Sequence, residues 1–191
     1  MQFNQGADAK MGGSKITIAD IPFFNHLDAG DIMAVSQHLQ ALSFAAEDML
    51  FYQGDPPNGL FLVTSGSVKT YVYAPGTTKK VVVKLVKAGD YLGEFGLLDG
   101  MPRSASAMAE VATEVLLLPS RAFEVILNAR PTLARAVYQR LMEMIREQNK
   151  DPMLLQESEA LTPRGGEPPS SEMLKSLCGI LRKINFKKLQ R

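Results

Sequence analysis

The sequence lacks the features that assign a chain to several common classes of protein. Its 191 residues contain one cysteine, Cys178, and no tryptophan. A single cysteine cannot form an internal disulfide, so the chain is suited to a reducing compartment. No apolar run approaches the roughly 20 residues that span a bilayer, and residues 1–15 contain no apolar segment of the secretory kind. We therefore expect a cytoplasmic protein that is not inserted in a membrane.

An excess of charge of one sign is also missing. The chain has 21 Lys and Arg residues against 20 Asp and Glu residues, and its net charge is +1. A nearly neutral chain has no strong overall field to attract nucleic acid or an anionic membrane. The sequence contains no glycine-rich phosphate loop, no cluster of metal ligands and no nucleophile elbow. We expect no catalysis, no bound metal and no cofactor.

The spacing of apolar residues predicts one helix followed by a series of short strands. Asp28 opens a helix that continues to about Leu42, with apolar residues at helical spacing. From Glu47 the period changes to two, and glycine and proline turns separate the apolar segments. The predicted strands are 49–52, 60–64, 67–73, 80–86, 104–112 and 114–118. This pattern predicts an α+β domain with an antiparallel, jelly-roll-like β-roll and flanking helices.

Two helices are predicted after the roll. Ser120 opens a short helix that ends before Pro131, and Pro131 begins a longer helix that extends to about Lys150. The longer helix has an apolar seam close to heptad spacing, formed by Leu133, Val137, Leu141, Met144, Ile145 and Gln148. This seam fits two arrangements, packing on the roll or pairing with the same helix of a second chain. A homodimer is therefore one of two open alternatives.

The two ends of the chain differ in composition from its middle. Residues 1–15 are polar and rich in glycine, which predicts a disordered lead-in. Residues 152–171 have the Pro, Gly and Ser content of a linker, and residues 172–191 predict a basic amphipathic helix or tail. Residues 16–151 then form the one predicted domain. For the tail, docking to a partner, a lid over the domain and disorder all remain open.

Residues 88–109 carry the candidate site. Gly93-Glu94 is separated from Arg103-Ser104 by eight residues that include a turn. The carboxylate of Glu94 can accept hydrogen bonds from sugar hydroxyls, and the guanidinium fork of Arg103 matches a phosphate. Backbone N–H groups at the start of a short helix suit the same anion. This stretch predicts a ligand that contains both a sugar and a phosphate.

The order of helix, roll and two helices, with GEFGLLDGMPRSASA inside the roll, resembles the cyclic nucleotide-binding domain family over about Ile21 to Lys150. The family includes bacterial catabolite activators and the regulatory subunits of cAMP-dependent kinases. The resemblance implies a receptor domain whose ligand is cAMP or cGMP. Ser104 favours cAMP, because the bacterial activators also have serine at this position. Phe95 stands where leucine is commoner, and we expect altered packing with binding retained.

The resemblance also implies a role for each residue of this stretch. Glu94 accepts a hydrogen bond from the ribose 2′-hydroxyl, and Arg103 binds the cyclic phosphate together with the Ser104 hydroxyl. Backbone N–H groups near Phe95 and Gly96 add to the phosphate contacts. The implied ligand-binding set is Gly93, Glu94, Phe95, Gly96, Arg103, Ser104 and Ala105.

The long helix of the bacterial activators also contacts the base. An ungapped match from Pro131 places Gln148 and Asn149 in the corresponding region. Both side-chain amides can donate to and accept from a purine edge. A solvated helix end is the alternative interpretation for both residues, and the sequence leaves the two interpretations open.

Two functions fit these features. In the first, the chain is a cyclic-nucleotide receptor that transmits ligand occupancy to a partner protein through its long helix or its C-terminal tail. In the second, the roll is a ligand-independent scaffold, and the basic tail anchors it to a membrane surface or to nucleic acid. About 40 residues follow the long helix. They leave no room for a linker and a helix-turn-helix, so we expect no sequence-specific DNA binding.

Overall fold

The computed structural model describes residues 16–73, 76–149, 151–163 and 165–189, so the predicted disordered lead-in lies outside the described residues. Two short 3₁₀ turns, Ile18–Asp20 and Pro22–Phe24, precede the main elements. The elements in chain order are α1 (Ala29–Ser36), β1 (Gln40–Phe44), β2 (Met49–Phe51), β3 (Gly59–Ser65), β4 (Ser67–Tyr73), β5 (Lys80–Lys87), β6 (Tyr91–Leu92), α2 (Glu94–Asp99), β7 (Ser106–Ala109), β8 (Thr113–Pro119), α3 (Ser120–Ala129), α4 (Pro131–Gln148), α5 (Pro152–Glu159) and α6 (Ser171–Leu189).

The strands form two four-stranded antiparallel sheets, in the orders β1-β8-β3-β6 and β2-β7-β4-β5. Strand β3 separates the two parts of the core, because successive side chains of a strand point to opposite faces. Leu60 and Leu62 belong to the cluster under the helices, whereas Phe61 and Val63 belong to the cluster inside the roll. The predicted α+β fold, a β-roll with flanking helices, is confirmed.

The first predicted helix is too long. Helix α1 ends at Ser36, and the chain then forms β1, which pairs with β8 in a register that places Leu42 opposite Val115. Leu42 and Phe44, two residues apart, both pack against the cluster inside the roll. Leu42 is therefore part of the alternating pattern of a strand. Its conformation depends on pairing with β8, which is distant in sequence. Strand β6 was not predicted, because its two residues are too few to show an alternating pattern.

The apolar seam of α4 packs within the chain. Its members Leu133, Val137, Leu141, Met144 and Ile145 are all buried in the cluster that lies between the helices and the roll. The structure thus takes the first of the two arrangements that the sequence allowed. A homodimer, if it forms, has to use a different surface.

The segment after α4 is more ordered than its composition indicated. The predicted linker 152–171 begins with helix α5, whose first residue is Pro152 and whose N-cap Asp151 accepts a bond from the backbone N–H of Met153 at 3.1 Å. Helix α6 covers most of the predicted tail, residues 172–191, and packs against α2 and α4. Its buried residues are Leu174, Leu177, Cys178, Ile180, Leu181 and Ile184. Among the described helices, none combines the length and hydropathy that crossing a membrane requires.

A buried carboxylate ties α1 to the junction between α3 and α4. Asp31 has 0% exposure, and its Oδ1 accepts from Arg130 Nε and, at 2.9 Å, from the Thr132 hydroxyl. The Arg130 side chain is only partly covered, with 34% exposure. Because a buried carboxylate needs a counter-charge, this pair fixes the first helix to the two that follow the roll.

We expect Asp31→Asn to lower the free energy of unfolding by about 1–2 kcal/mol, because a neutral amide replaces the buried carboxylate that accepts bonds from Arg130 and Thr132. Urea denaturation followed by circular dichroism measures the change. Asp28→Asn is the matched control, because Asn caps a helix as well as Asp and Asp28 is a more exposed partner of Arg130 at 3.6 Å. Equal, small losses in both variants would contradict the structural role of Asp31.

Candidate functional site

Eight of the nine predicted site residues line one cavity of about 1210 Å³, to which α2, β5, α4 and α6 contribute walls. This volume slightly exceeds the range of roughly 300–1,000 Å³ that is usual for small-molecule sites. The predicted residues that line it are Gly93, Glu94, Phe95, Gly96, Arg103, Ser104, Ala105 and Gln148. The fold thus brings together residues 93–96, residues 103–105 and the end of α4.

Helix α2 is short because glycines bound it at both ends. Gly93 and Gly100 have φ values of 90° and 68°, in the left-handed region that favours glycine. A side chain on Gly93 would also collide with the guanidinium of Arg103, and its Cβ would lie 3.1 Å from the carbonyl oxygen of Gly59. The glycine therefore leaves the space that Arg103 fills.

Arg103 is the central charged residue of the cavity. Its guanidinium donates to the Gly93 carbonyl at 3.1 Å, to the Gly59 carbonyl at 2.7 Å and to Asn58 Oδ1 at 2.6 Å. It also lies 4.2 Å from the centre of the Phe51 ring, a cation–π distance. The side chain is 4% exposed, yet its Nε–H has no partner among the described residues. An unpaired, buried N–H on a cation is able to donate a charge-assisted hydrogen bond to an anion.

The charge of Arg103 persists at neutral pH. Burial lowers its pKa to about 10, against the opposing effect of Glu94 and Asp55. The group is therefore protonated at pH 7 and can bind an anion such as a phosphate oxygen.

Glu94 opens α2 and lies half-buried on the wall of the cavity. Burial raises its pKa, and the effects of its own backbone N–H, of Lys84 and of Arg103 oppose that shift without cancelling it. No described residue forms an ion pair with this carboxylate within 4 Å. The carboxylate therefore has acceptor capacity left for hydroxyl donors.

Ser104 and Ala105 continue the wall beyond Arg103. Ser104 is exposed at the cavity, and its hydroxyl forms no hydrogen bond with a described residue. Gly96 completes the other side, where a Cβ atom would lie 2.6 Å from the Cβ of Pro57. A small residue is needed at this position because the loop before β3 packs on α2.

The two residues predicted to contact the base differ in their position relative to the cavity. Gln148 lines the cavity. Asn149 does not, and its amide instead bonds to the backbone of Asp151, donating to the carbonyl at 2.9 Å and accepting from the N–H at 2.9 Å. It thereby shapes the turn from α4 to α5. Contact of either residue with a base stays a prediction.

Sequence reasoning missed two walls of the cavity. One is β5, where Val81, Val82 and Val83 line the cavity although they stay 38%, 58% and 44% exposed. The run of valines predicts a strand, but nothing in the sequence indicates that these valine side chains are exposed. The other is α6, which contributes Gly179, Arg182, Lys183 and Asn185. Within the described ranges, no three His, Cys, Asp or Glu side chains are grouped as metal ligands would be.

Helix α6 is attached to α2 by a paired ionic contact. Arg182 donates through Nε to Asp99 Oδ2 at 2.6 Å and through Nη2 to Asp99 Oδ1 at 3.0 Å, and its guanidinium lies 5.4 Å from the Phe95 ring centre. The Cys178 Sγ lies 3.9 Å from the Phe95 carbonyl oxygen, and burial raises the pKa of this thiol. Cys178 is therefore an unreactive packing residue.

Comparison with known proteins finds similar sequences and similar structures. Residues 41–130 match the sequence profile of the cyclic nucleotide-binding domain. A cyclic AMP receptor protein of Thermus thermophilus is 30% identical over 139 residues, which are 73% of this chain and 64% of that protein. A cAMP-dependent protein kinase regulatory subunit of Emericella nidulans is 28% identical over 118 residues, which are 62% of this chain and 28% of that protein.

Solved structures agree with these matches. The N-terminal domain of a transcriptional regulator from Streptomyces coelicolor A3(2) is similar, with a TM-score of 0.60 and 29% sequence identity, over 67% of this chain and 91% of that one. The chain spans less than two thirds of the length of both curated relatives. What is shared is thus a domain, and the longer relatives contain other parts.

We expect Glu94→Gln to raise the free energy of unfolding at pH 7, because burial of the ionised carboxylate opposes folding. The folded-state pKa lies above the ordinary value of 4.5, so stability falls as pH rises from that value through the folded-state pKa. The gain from Gln should therefore appear above about pH 4.5 and vanish well below it. Thermal unfolding across pH measures this, with exposed Glu124→Gln as control. A gain independent of pH would contradict the prediction.

Proposed function

We propose that this chain, whose residues 41–130 match the profile of the cyclic nucleotide-binding domain, is a receptor for a cyclic nucleotide, above all cAMP. We further propose that it transmits ligand occupancy to a partner protein through its C-terminal helices. The observation that carries the proposal is the cavity: seven residues expected to bind the ligand line it together, around a buried guanidinium with an unpaired N–H.

The cyclic phosphate is proposed to bind at Arg103 and Ser104. Arg103 supplies a full positive charge and a free N–H, and Ser104 supplies a hydroxyl that has no partner among the described residues. Charge-assisted bonds of this kind are about twice as strong as bonds between neutral groups. Phe95 and Gly96 at the start of α2 line the cavity, and their backbone N–H groups are proposed as further donors to the phosphate.

The ribose is proposed to bind at Glu94. Its carboxylate is desolvated, lines the cavity and has no ion-pair partner within 4 Å among the described residues. A hydroxyl donor from the ligand would replace the water that burial removes from this carboxylate. The same step would lower the energetic cost of keeping the carboxylate ionised.

Preference for cAMP rests on the two named relatives and on Ser104. The receptor of Thermus thermophilus and the kinase regulatory subunit of Emericella nidulans both carry cyclic AMP in their names. Gln148 on the cavity wall can donate to and accept from either purine, so cGMP remains the second ligand to test.

Transmission is proposed to pass along α2. This six-residue helix carries Glu94 at its first position and Asp99 at its last. Asp99 forms the paired contact with Arg182 of α6, so a shift of α2 that follows ligand binding moves the attachment point of α6. A displacement at one end of so short a helix cannot be absorbed within it.

The anchoring alternative is less well supported. The apolar face of α6 is buried against the domain rather than offered to a membrane. Arg182 and Lys183 form ion pairs with Asp99 at 2.6 Å and with Glu157 at 2.9 Å. These two cations are therefore engaged within the chain and do not form a free basic surface.

Arg103→Ala should weaken cAMP binding by about 2–5 kcal/mol, or at least about 30-fold in Kd, because the ligand phosphate loses its charged partner. Isothermal titration calorimetry with cAMP and cGMP measures this. Since Arg103 also bonds to the chain, Ser104→Ala is tested beside it. This variant removes no described internal bond and should cost about 5-fold. Exposed Arg121→Ala is the control. Unchanged affinity in both site variants would refute the assignment.

Hydrogen exchange tests transmission in the full chain. With saturating cAMP, the protection of backbone amides in α6 (Ser171–Leu189) should change, because the ligand repositions α2 and with it the Arg182 contact. The Arg103→Ala variant, mixed with the same concentration of cAMP, is the control. Identical protection of α6 with and without ligand, in a protein that binds cAMP, would exclude transmission through this helix.

A further inference from the structure

Helix α6 presents two different flanks to the rest of the domain. Its apolar flank is buried against α2 and α4. A second flank lines the cavity through Gly179, Arg182, Lys183 and Asn185. At 3.6 residues per turn, Gly179, Arg182 and Lys183 fall on one arc of about 100°, and Asn185 lies at the border of this arc with the buried one, next to Cys178. The helix thus covers the domain with one flank and faces the cavity with the other.

We infer that α6 is part of the binding site itself: the flank from Gly179 to Asn185 forms the wall against which the purine of the bound nucleotide packs. This inference rests on the proposed function, because it assigns a wall to the ligand proposed there. It adds residues that neither the family match, which ends at residue 130, nor the sequence pattern identifies.

Gly179 gives the first argument. Glycine in the middle of a helix weakens that helix relative to alanine. A Cβ atom on Gly179 would meet no atom of the described residues within 4 Å. By contrast, a Cβ on Gly96 would lie 2.6 Å from Pro57, so packing alone requires that glycine. Packing within the chain therefore does not explain why glycine stands at position 179. A ligand that packs closely against the backbone of α6 would explain it, because a side chain there would occupy the ligand's space.

Asn185 gives the second argument. Its side chain is half-buried, lies on the same cavity wall and forms no hydrogen bond with a described residue. Burying an amide without a partner is costly. The amide offers one acceptor and two donors, which match the mixed donor and acceptor edge of a purine. Gly179 thus gives this wall a surface without a side chain, and Asn185 gives it a polar group.

The geometry of the ligand points to the same wall. If the phosphate lies at Arg103 and the ribose at Glu94, the base projects from the sugar away from the phosphate. Beyond the residues around Arg103 and Glu94, the cavity is lined by β4 and β5, by Arg140, Met144, Glu147 and Gln148 of α4, and by the flank of α6. The valines of β5 suit the apolar faces of a purine, and the amides of Gln148 and Asn185 suit its polar edge.

Arg182 holds the α6 wall in a fixed position relative to α2. Its two bonds to Asp99 connect α6 to the helix that begins with Glu94. A ligand that contacts both helices therefore favours the docked position of α6, and docking in turn favours ligand binding by the same factor. Binding of cAMP should then increase the amide protection of α6.

Substitutions at Gly179 separate stability from binding. Gly179→Ala should raise the melting temperature of the ligand-free chain by about 2–4 °C, yet weaken cAMP binding by about 5-fold or more as its methyl group enters the space of the base. Gly179→Leu should weaken binding further. Ser176→Ala, at an exposed position of α6 that does not line the cavity, is the matched control and should leave the Kd unchanged.

Asn185→Ala tests the polar part of the wall by calorimetry with cAMP and cGMP. We expect its cAMP affinity to fall by about 3- to 10-fold and the ratio of the two affinities to change. If the wild-type chain binds cAMP but Gly179→Leu and Asn185→Ala bind it equally well, this inference is overturned while the proposed function stands. If the wild-type chain binds neither nucleotide, the proposed function fails and the inference fails with it.

Discussion

The buried guanidinium of Arg103 holds the walls of the cavity together. It bonds to Asn58 and Gly59 at the start of β3 and to Gly93 at the start of α2. The backbone N–H of Arg103 also donates to the Asp55 carbonyl at 2.9 Å. Arg103 thus joins its own segment to two others, residues 55–59 and the turn at Gly93. The Nε–H of the same guanidinium stays unpaired among the described residues, so the group that joins these segments keeps a hydrogen-bond donor in reserve.

The cavity is built at the expense of stability. Burial opposes the ionised form of Glu94 and lowers the pKa of Arg103 to about 10. Gly179 weakens α6, and the valines of β5 stay exposed beside the cavity. Each feature is unfavourable in the chain alone, and all of them lie at the same cavity. Sites that break local rules in this way are where function is expected.

Much of the fold was predictable because its signals are local. Alternating residues and turn glycines mark most of the strands, and Gly93 with Gly100 bounds α2 through backbone conformation alone. Strand β1 was mistaken for helix because Leu42 continued a helical spacing, and only its pairing with β8 reveals a strand. The place of α6 could not be predicted, since Arg182 and Asp99 are 83 positions apart and no periodicity connects them.

The connection between α5 and α6, residues 160–170, has a consequence for any protein that would bind the face under α6. A short tether keeps a segment at an effective concentration of about 1 mM near its docking face. A separate protein present at about 1 μM therefore competes with a helix that is roughly a thousand times more concentrated. Such a protein must bind the face about a thousandfold more tightly than α6 does. The tether thus sets an affinity threshold that excludes weak competitors from the domain.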